Sequence, residues 1–524
     1  MSRDLVVALD SGTSVVKALA FTLDGRQVGV AARPNRYQTL PGGAVEQDPD
    51  GTWRDAAAVL AELAGAVEDL PDRVAALAVT GQGDGTWLID AAGRPTAPGW
   101  LWLDSRAAEI VAEAEASGAR AAIYRHTGCG LNACNQSSQL AWLERHRPAV
   151  LDRSATAFHC KDWLYLNLTG VRATDVTEGT FTFGDFRSRS YAPAVLEALG
   201  IGHRRDLLPP MLDGSRHTDP LSAAAAAQTG LPAGLPVALC CVDVVCTAIG
   251  AGLYEPGRPV GCSILGSTGM HMRYAGGADD VTLAALPTGY TMPLPIPGAF
   301  AQMQSNMAAT LNIDWVVGLA CEAAGLLGAT VERRAALAAL DARVLEARPG
   351  AALYHPYIHE AGERGPFVDA TARAQLTGLS VRAGFLDLVR AVYEGLALAA
   401  RDCYGAMGHV PSEIRVAGGA ARSRAMKLLL ASAMGVPVRE SVREEAGAAG
   451  AAMMAAVAVG AAPDMAAAAG RWVTPMLRDT IAPDPALARL FDRLFPIYLQ
   501  TRQAMPPIWA RLAAPATATA AEHA

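Results

Sequence analysis

Residues 6–28 read VVALDSGTSVVKALAFTLDGRQV. An apolar run ends in Asp10, a Ser-Gly-Thr-Ser turn follows, and a second apolar run leaves it. The pattern predicts strands over 5–10, 17–22 and 27–32, with Asp24-Gly25 as the hairpin turn between the last two. Gly12 carries no side chain, so the turn exposes backbone N–H groups as an anion nest. Ser11, Thr13 and Ser14 add hydroxyl donors. The turn lacks the Walker spacing, so it is a different phosphate device. Asp10 would repel phosphate unless a divalent cation lay between them. A carboxylate beside such a turn therefore points to Mg²⁺, held directly or through water.

The same signals recur later in the chain. Residues 236–242 predict a strand ending at Asp243. Residues 260–265 predict a strand entering Gly266-Ser267-Thr268-Gly269, and 270–274 a strand leaving it. Residues 413–417 predict a strand running into GGAARS, which spans 418–423, with a helix starting near Ala425. In the first half a helix is expected over 53–70, then a buried strand over 74–80 that ends in GQGDG at 81–85. Helical spacing marks 385–407 and 446–460. Strand, hydroxyl-rich turn, strand thus occurs twice. A duplicated domain follows, with two turns able to grip one phosphate chain.

The bulk of the sequence excludes other classes. Its 524 residues exceed one ordinary domain, and 51% are hydrophobic. Net charge is −7 with no basic stripe, which argues against nucleic acid as a partner. Nine cysteines are dispersed, and CCVDVVC at 240–246 reads as small buried hydrophobes, in keeping with a reducing cytoplasm. Asp4 and Asp10 interrupt any signal-peptide core. The uncharged stretch 446–463 is mostly Ala and Gly, so a packed helix is expected there rather than a membrane span. His355 and His359 have zinc-like spacing, but Pro356 and Pro366 argue against a helix carrying both. The tail from Ala513 is expected to be disordered.

Asp243 ends an apolar run ahead of the second phosphate turn, a fitting place for the carboxylate that orients and deprotonates an acceptor hydroxyl. It equally reads as the N-cap of the helix VVCTAIGAG. Gln82 and Asp84 in GQGDG, and Trp102, Asp104 and Arg106 in LWLDSRA, suit a polyol or sugar. An Asp104–Arg106 ion pair and a core role for Trp102 remain open alternatives.

These residues, in this order, resemble the FGGY carbohydrate kinases of the actin/Hsp70 ATPase superfamily, over roughly residues 4–480. ALDSGTSVVKALAF is similar to the first phosphate motif and ILGSTG to the second. LWLDSRA, KDWLYLNLTG with TDVTEGTF, HEAGERGPF, VAGGAARSRAMKLLLASAMGVPV and EAGAAGAAMMAAVAVG resemble the remaining family segments. The resemblance implies an α/β fold of two ribonuclease-H-like domains with ATP and Mg²⁺ in the cleft between them. The expected division is 1–245, 246–485 and a C-terminal helix and tail at 486–524. By position, Asp10 and Thr13 would handle metal and phosphate, and Asp243 would be the base. Gly266, Ser267 and Thr268 would meet the γ-phosphate side. Gly418 and Gly419 would lie against the nucleotide, with Ala420 and Ser423 nearby. Glycerol kinases carry Arg-Glu, and xylulose kinases Met-His, where this chain has Gly83-Asp84. Their site tyrosine falls at about Cys134. The smaller residues are expected to open room for a linear polyol larger than glycerol. GQGDGTWL, LWLDSRA and HCKDWLYLNLTGVRATD look most like the erythritol kinases of that family, which implies phosphorylation of a terminal hydroxyl in erythritol catabolism. Xylulose, ribulose or glycerol as acceptor, or an ATPase module that binds a partner, are the competing expectations. A homo-oligomer is compatible with all of them.

Overall fold

The computed structural model describes residues 3–514. The opening stretch forms β1 (Leu5–Ser11) and β2 (Val15–Thr22), and the Asp24-Gly25 turn leads to β3 (Gln27–Pro34). These three pair antiparallel, and β1 also pairs parallel with β4 (Val74–Gly81). The strands β5 (Asp219–Pro220) and β6 (Pro236–Leu239) complete a six-stranded sheet in the order β5-β6-β4-β1-β2-β3. Strand periodicity sends alternate side chains of β1 to opposite faces. Leu5, Val7 and Leu9 pack under α1 (Pro49–Ala66) and α2 (Cys160–Thr169), whereas Val6 and Ala8 face a core shared with the second lobe. Helix α1 starts earlier than the apolar spacing suggests. Asp48 caps it by accepting from the Asp50 N–H at 3.1 Å, and Pro49 takes the first helical position, where no N–H is needed.

Two further helices shape the cleft side of this lobe, α3 (Val176–Phe183) and α4 (Asp243–Ala251). Strand β6 is shorter than its sequence suggests. Pairing stops at Leu239, and Cys240–Val242 form a buried connection that delivers Asp243 to the start of α4.

The second lobe repeats the plan. Strands β7 (Val260–Leu265) and β8 (Gly269–Ala275) are antiparallel around the Gly266–Thr268 turn. With β9 (Tyr290–Pro293), β10 (Phe300–Asn306), β11 (Glu413–Ala417), β12 (Val438–Ser441) and β13 (Leu477–Ile481), they form a seven-stranded sheet in the order β9-β10-β8-β7-β11-β12-β13. As in the first lobe, the strand that enters the turn pairs parallel on its other side, here with β11. Helices α5 (Phe385–Ala406) and α6 (Arg424–Met434) cover one face.

Helix α7 (Ala446–Ala458) is the Ala/Gly-rich segment, and it crosses α4 between the two sheets. A Cβ on Gly250 would collide with the Ala446 carbonyl oxygen, and one on Gly450 with that of Cys246. The crossing is therefore backbone against backbone, which explains the run of small residues. Among the described residues no helix is long and apolar enough to cross a membrane. His355 is buried, its ring bonded to the Tyr498 carbonyl at 3.0 Å and to Gln375 at 3.2 Å, while His359 accepts from the Ala361 N–H. Ala513, where disorder was expected to begin, is the last residue of a helix, Pro506–Ala513, and 515–524 lie outside the described residues.

Candidate active site

Both hydroxyl-rich turns lie at corresponding ends of the two sheets. In the first, Asp10 lies next to the end of β1 opposite Lys17, whose Nζ reaches 2.8 Å from Glu445 at the head of α7. The Thr13 hydroxyl accepts from Trp102 Nε1 at 2.7 Å and donates to Gln82 Oε1 at 3.2 Å. Ser14 is exposed, and the Gly12 carbonyl is held by Asn35 at 2.7 Å. In the second turn Ser267 and Thr268 are exposed, and the backbone is braced by Ala309 and Thr310 N–H groups donating to the Ser267 and Gly266 carbonyls. Gly418, at the end of β11, has φ +90° and no room for a Cβ, which would lie 2.7 Å from the Leu265 carbonyl oxygen. Only glycine meets both conditions. Gly419 beside it is exposed with open space above it, whereas Ala420 is buried.

Three expected phosphate or nucleotide contacts differ in the structure. The Ser11 hydroxyl turns into the lobe, 3.5 Å from Cys160 Sγ and from Asn35 Nδ2, so Ser11 offers the turn its backbone alone. The Ser423 hydroxyl caps α6, accepting from the Met426 N–H at 3.0 Å, and also bonds Asp341. Ala420 faces the core. These hydroxyls satisfy local N–H and thiol groups that the sequence does not show as neighbours.

Two carboxylates flank the cleft between the turns. Asp10 is pushed up to about 6, chiefly by burial, with Lys17 pulling the other way. Its Oδ1 is buried without a hydrogen-bond partner, and its Oδ2 lies 3.2 Å from where a Cβ on Gly447 would sit. Asp243 is raised to about 7, first by burial and next by the charge of Asp10. It occupies the first position of α4, and Val242 precedes it as the cap with no side-chain bond. The cap position therefore belongs to Val242, and the Val244 N–H offsets part of the upward push on the Asp243 carboxyl. A buried Asp10 with an orphaned oxygen, whose charge also raises Asp243, fits a magnesium ion. Such an ion draws most of its ligands from phosphate and water. Among the described residues no group of three His, Cys, Asp or Glu forms a protein-only cage.

The polyol side differs more from expectation. Asp104 is buried, accepts from the Val45 N–H at 2.9 Å and pairs with Arg106 at 2.6 Å. Arg106 also pairs with Glu46 at 2.9 Å and lies 3.4 Å above the Trp100 ring. The local ion pair is what the structure shows. Gln82 is a buried strut, donating to Gln47 at 3.1 Å. Asp84, at φ +56°, stays on the cleft wall, with Oδ1 accepting from Asn135 Nδ2 at 2.6 Å and Cys134 Sγ at 3.6 Å from Oδ2. Burial holds its carboxyl above the ordinary range.

Gly83 does not leave an opening as the smaller residue suggested. A Cβ there would sit 2.4 Å from Val242 Cγ2 and 2.9 Å from Glu178 Oε1. The space belongs to Glu178, a residue of α3 inside TDVTEGTF that the sequence reading passed over. Glu178 is fully buried, both its oxygens lack hydrogen-bond partners, and burial holds it well above the usual carboxylate range. His159 Nε2 approaches its Oε2 at 3.4 Å, while His159 Nδ1 meets Asp162 at 3.1 Å. Lys161 joins Asp162 and Asp175 at 2.9 and 2.6 Å beneath. A lone carboxylate in the helix VTEGTFTF was the only signal, and the sequence does not say where it points.

Residues 5–250 match the N-terminal domain of the FGGY family of carbohydrate kinases, and residues 261–459 match its C-terminal domain. The chain is an FGGY carbohydrate kinase. A relative named erythritol kinase, from Brucella abortus, is 51% identical over 97% of this chain and 98% of its own length. The xylulose kinase of Escherichia coli is 27% identical over 82% of this FGGY kinase and 85% of its own length. Among solved structures, the xylulose kinase from Rhodospirillum rubrum superposes with a TM-score of 0.86 at 30% identity. It covers 97% of this kinase and 100% of that chain.

Proposed function

We propose that this FGGY kinase transfers the γ-phosphoryl group of ATP to a terminal hydroxyl of erythritol. The 51% identity, over nearly the full length, to a protein named erythritol kinase carries the choice of acceptor. The site supports the chemistry: Asp10 and Asp243 are buried and near enough that the charge of Asp10 raises Asp243, and Asp10 borders the first hydroxyl-rich turn.

In this reading Thr13, Ser14 and the backbone of Gly12 hold the phosphate chain from the first lobe. Ser267, Thr268 and Gly266 hold it from the second, and Gly418 and Gly419 let the nucleotide lie against bare backbone. Asp10 is the residue that would hold Mg²⁺, directly or through water, and the ion's charge would supply neutralisation of the phosphate oxygens. Asp243 accepts a hydrogen bond from the terminal hydroxyl and takes its proton as the new O–P bond forms. The bond from the γ-phosphorus to the β–γ bridging oxygen breaks, and ADP departs. The transition state is loose, so the proton leaves late and positioning does most of the work. Trp102 and Asp84 line the acceptor's path, with Asp84 accepting from its hydroxyls. Glu178 fills the floor under Gly83, where a larger residue would stand.

The test is ADP release with Mg-ATP against erythritol, threitol, glycerol, xylitol, ribitol, xylulose and ribulose. Erythritol is expected to give the highest kcat/KM. Because the site is chiral and erythritol is meso, the product is expected to be a single enantiomer of erythritol phosphate. A higher kcat/KM for any other acceptor would overturn the assignment.

A further inference from the structure

Arg364 extends from the second lobe within GERGPF, and nothing so far has given it work. Its mount is firm. Glu363 accepts from the N–H groups of Met307 and Arg364 at 2.8 and 2.9 Å, and Asn306 holds the Gly365 carbonyl at 2.7 Å. The guanidinium itself, among the described residues, forms no ion pair and donates no hydrogen bond. Other inward-facing arginines are different: Arg273, Arg390 and Arg415 each hold a carboxylate. A partly buried cation without a partner is unfavourable unless something else supplies one.

What it faces is the acceptor side of the cleft. With Asn132 and Tyr290 it lines a small cavity between the lobes, and its charge feels those of Asp84 and Glu363. A polar chain runs past it. Asn135 bonds Asp84 at 2.6 Å and the Asn132 N–H at 2.6 Å, and Asn132 Nδ2 reaches the hydroxyl of Tyr290, in the other lobe, at 3.4 Å. Each hydroxyl of a polyol wants an acceptor and a donor. Asp84 when ionised only accepts, Arg364 only donates, and Asn132 does both.

Resting on the polyol-kinase reading above, we propose that Arg364 is the second lobe's clasp on the acceptor. Its guanidinium donates to a hydroxyl remote from the one phosphorylated, opposite Asp84. Because Asp84 and Arg364 belong to different lobes, a bound polyol bridges the cleft and draws the lobes together. Specificity for a chain longer than glycerol then comes from a hydroxyl that must reach Arg364, rather than from empty space at Gly83.

The experiment uses the full chain carrying Arg364→Ala or Arg364→Lys, with KM for erythritol and for Mg-ATP, kcat and Tm measured on each. In Arg364→Ala the KM for erythritol is expected to rise about tenfold or more, the loss of one charged hydrogen bond. The KM for Mg-ATP and Tm are expected to stay close to wild type. Added guanidinium ion is expected to recover part of the loss, and Arg364→Lys to lie between. An unchanged KM for erythritol, or a parallel shift of both KM values with Tm, would overturn the clasp while leaving the kinase assignment intact. If wild type turns over no polyol in the panel, the kinase assignment fails and the clasp falls with it.

Discussion

At the scale of single residues, Asp243 carries the most. Its raised value near 7 makes activity fall on the acid side, because the base must be ionised to take the proton. The kcat/KM of the free enzyme is expected to decline as pH drops through about 7. The limb in kcat, measured with Mg-ATP bound, is expected at lower pH, since a cation beside the carboxylate favours its ionised form. Stability runs the other way. Folded Asp243 titrates near 7 against an ordinary 3.8, so across that window the folded chain holds the extra proton. Stability of the ligand-free protein therefore falls as pH rises from the lower value to the higher. Asp243→Asn removes that burden and is expected to stabilise the ligand-free protein at neutral pH by about 1–3 kcal/mol. Thermal melts of both proteins across that pH range check the sign. Gly83→Ala should do the reverse, since the added methyl meets Val242 and Glu178 in a packed floor; about 1–3 kcal/mol of stability is expected to be lost. A melting curve matching wild type would contradict that packing.

Which polar side chains face the cleft was the least legible feature of the sequence. Asp10 and Thr13 sit near the end of β1 and in the turn after it, Asp84 just past β4, and Asp243 beyond the connection that follows β6, so strand ends locate them in sequence. Ser11, Gln82, Asp104, Arg106 and Ser423 have equally suitable chemistry but turn to partners distant in sequence, such as Cys160, Gln47, Glu46 and Asp341. Glu178 and Arg364 were invisible for the complementary reason: their free atoms result from what does not surround them.

At the scale of elements, the repeated strand–turn–strand units were readable because hairpins are local, and β7 and β11 coincide with their expected bounds. The end of β6 was not, since Leu239 is where sheet neighbours stop, a fact of packing rather than of composition. The Ala/Gly segment shows its purpose only in the crossing of α4 and α7. Gly450→Leu would drive a large side chain into the Cys246 carbonyl. It is expected to destabilise the protein by more than about 3 kcal/mol, seen as a fall in the urea midpoint. A midpoint within error of wild type would show that the two helices do not cross so closely.

At the scale of the whole molecule, the two lobes share the core around α4 and α7 and meet the ligands from opposite sides. Asp10, Asp84 and Asp243 stand on the first lobe, and Gly266, Arg364 and Gly418 on the second. Simultaneous binding of a polyol and a non-hydrolysable Mg-ATP analogue is expected to narrow the scattering profile more than either alone. Identical profiles in all states would remove closure from the account.

The most direct measurement of the central claim is phosphoryl transfer from Mg-ATP to erythritol by wild type and Asp243→Asn at saturating substrates. The account predicts that the variant, folded and still binding both ligands, loses about 10²–10⁴-fold in kcat. A variant that phosphorylates erythritol at the wild-type rate would mean that Asp243 is not the base and that the cleft works by another route.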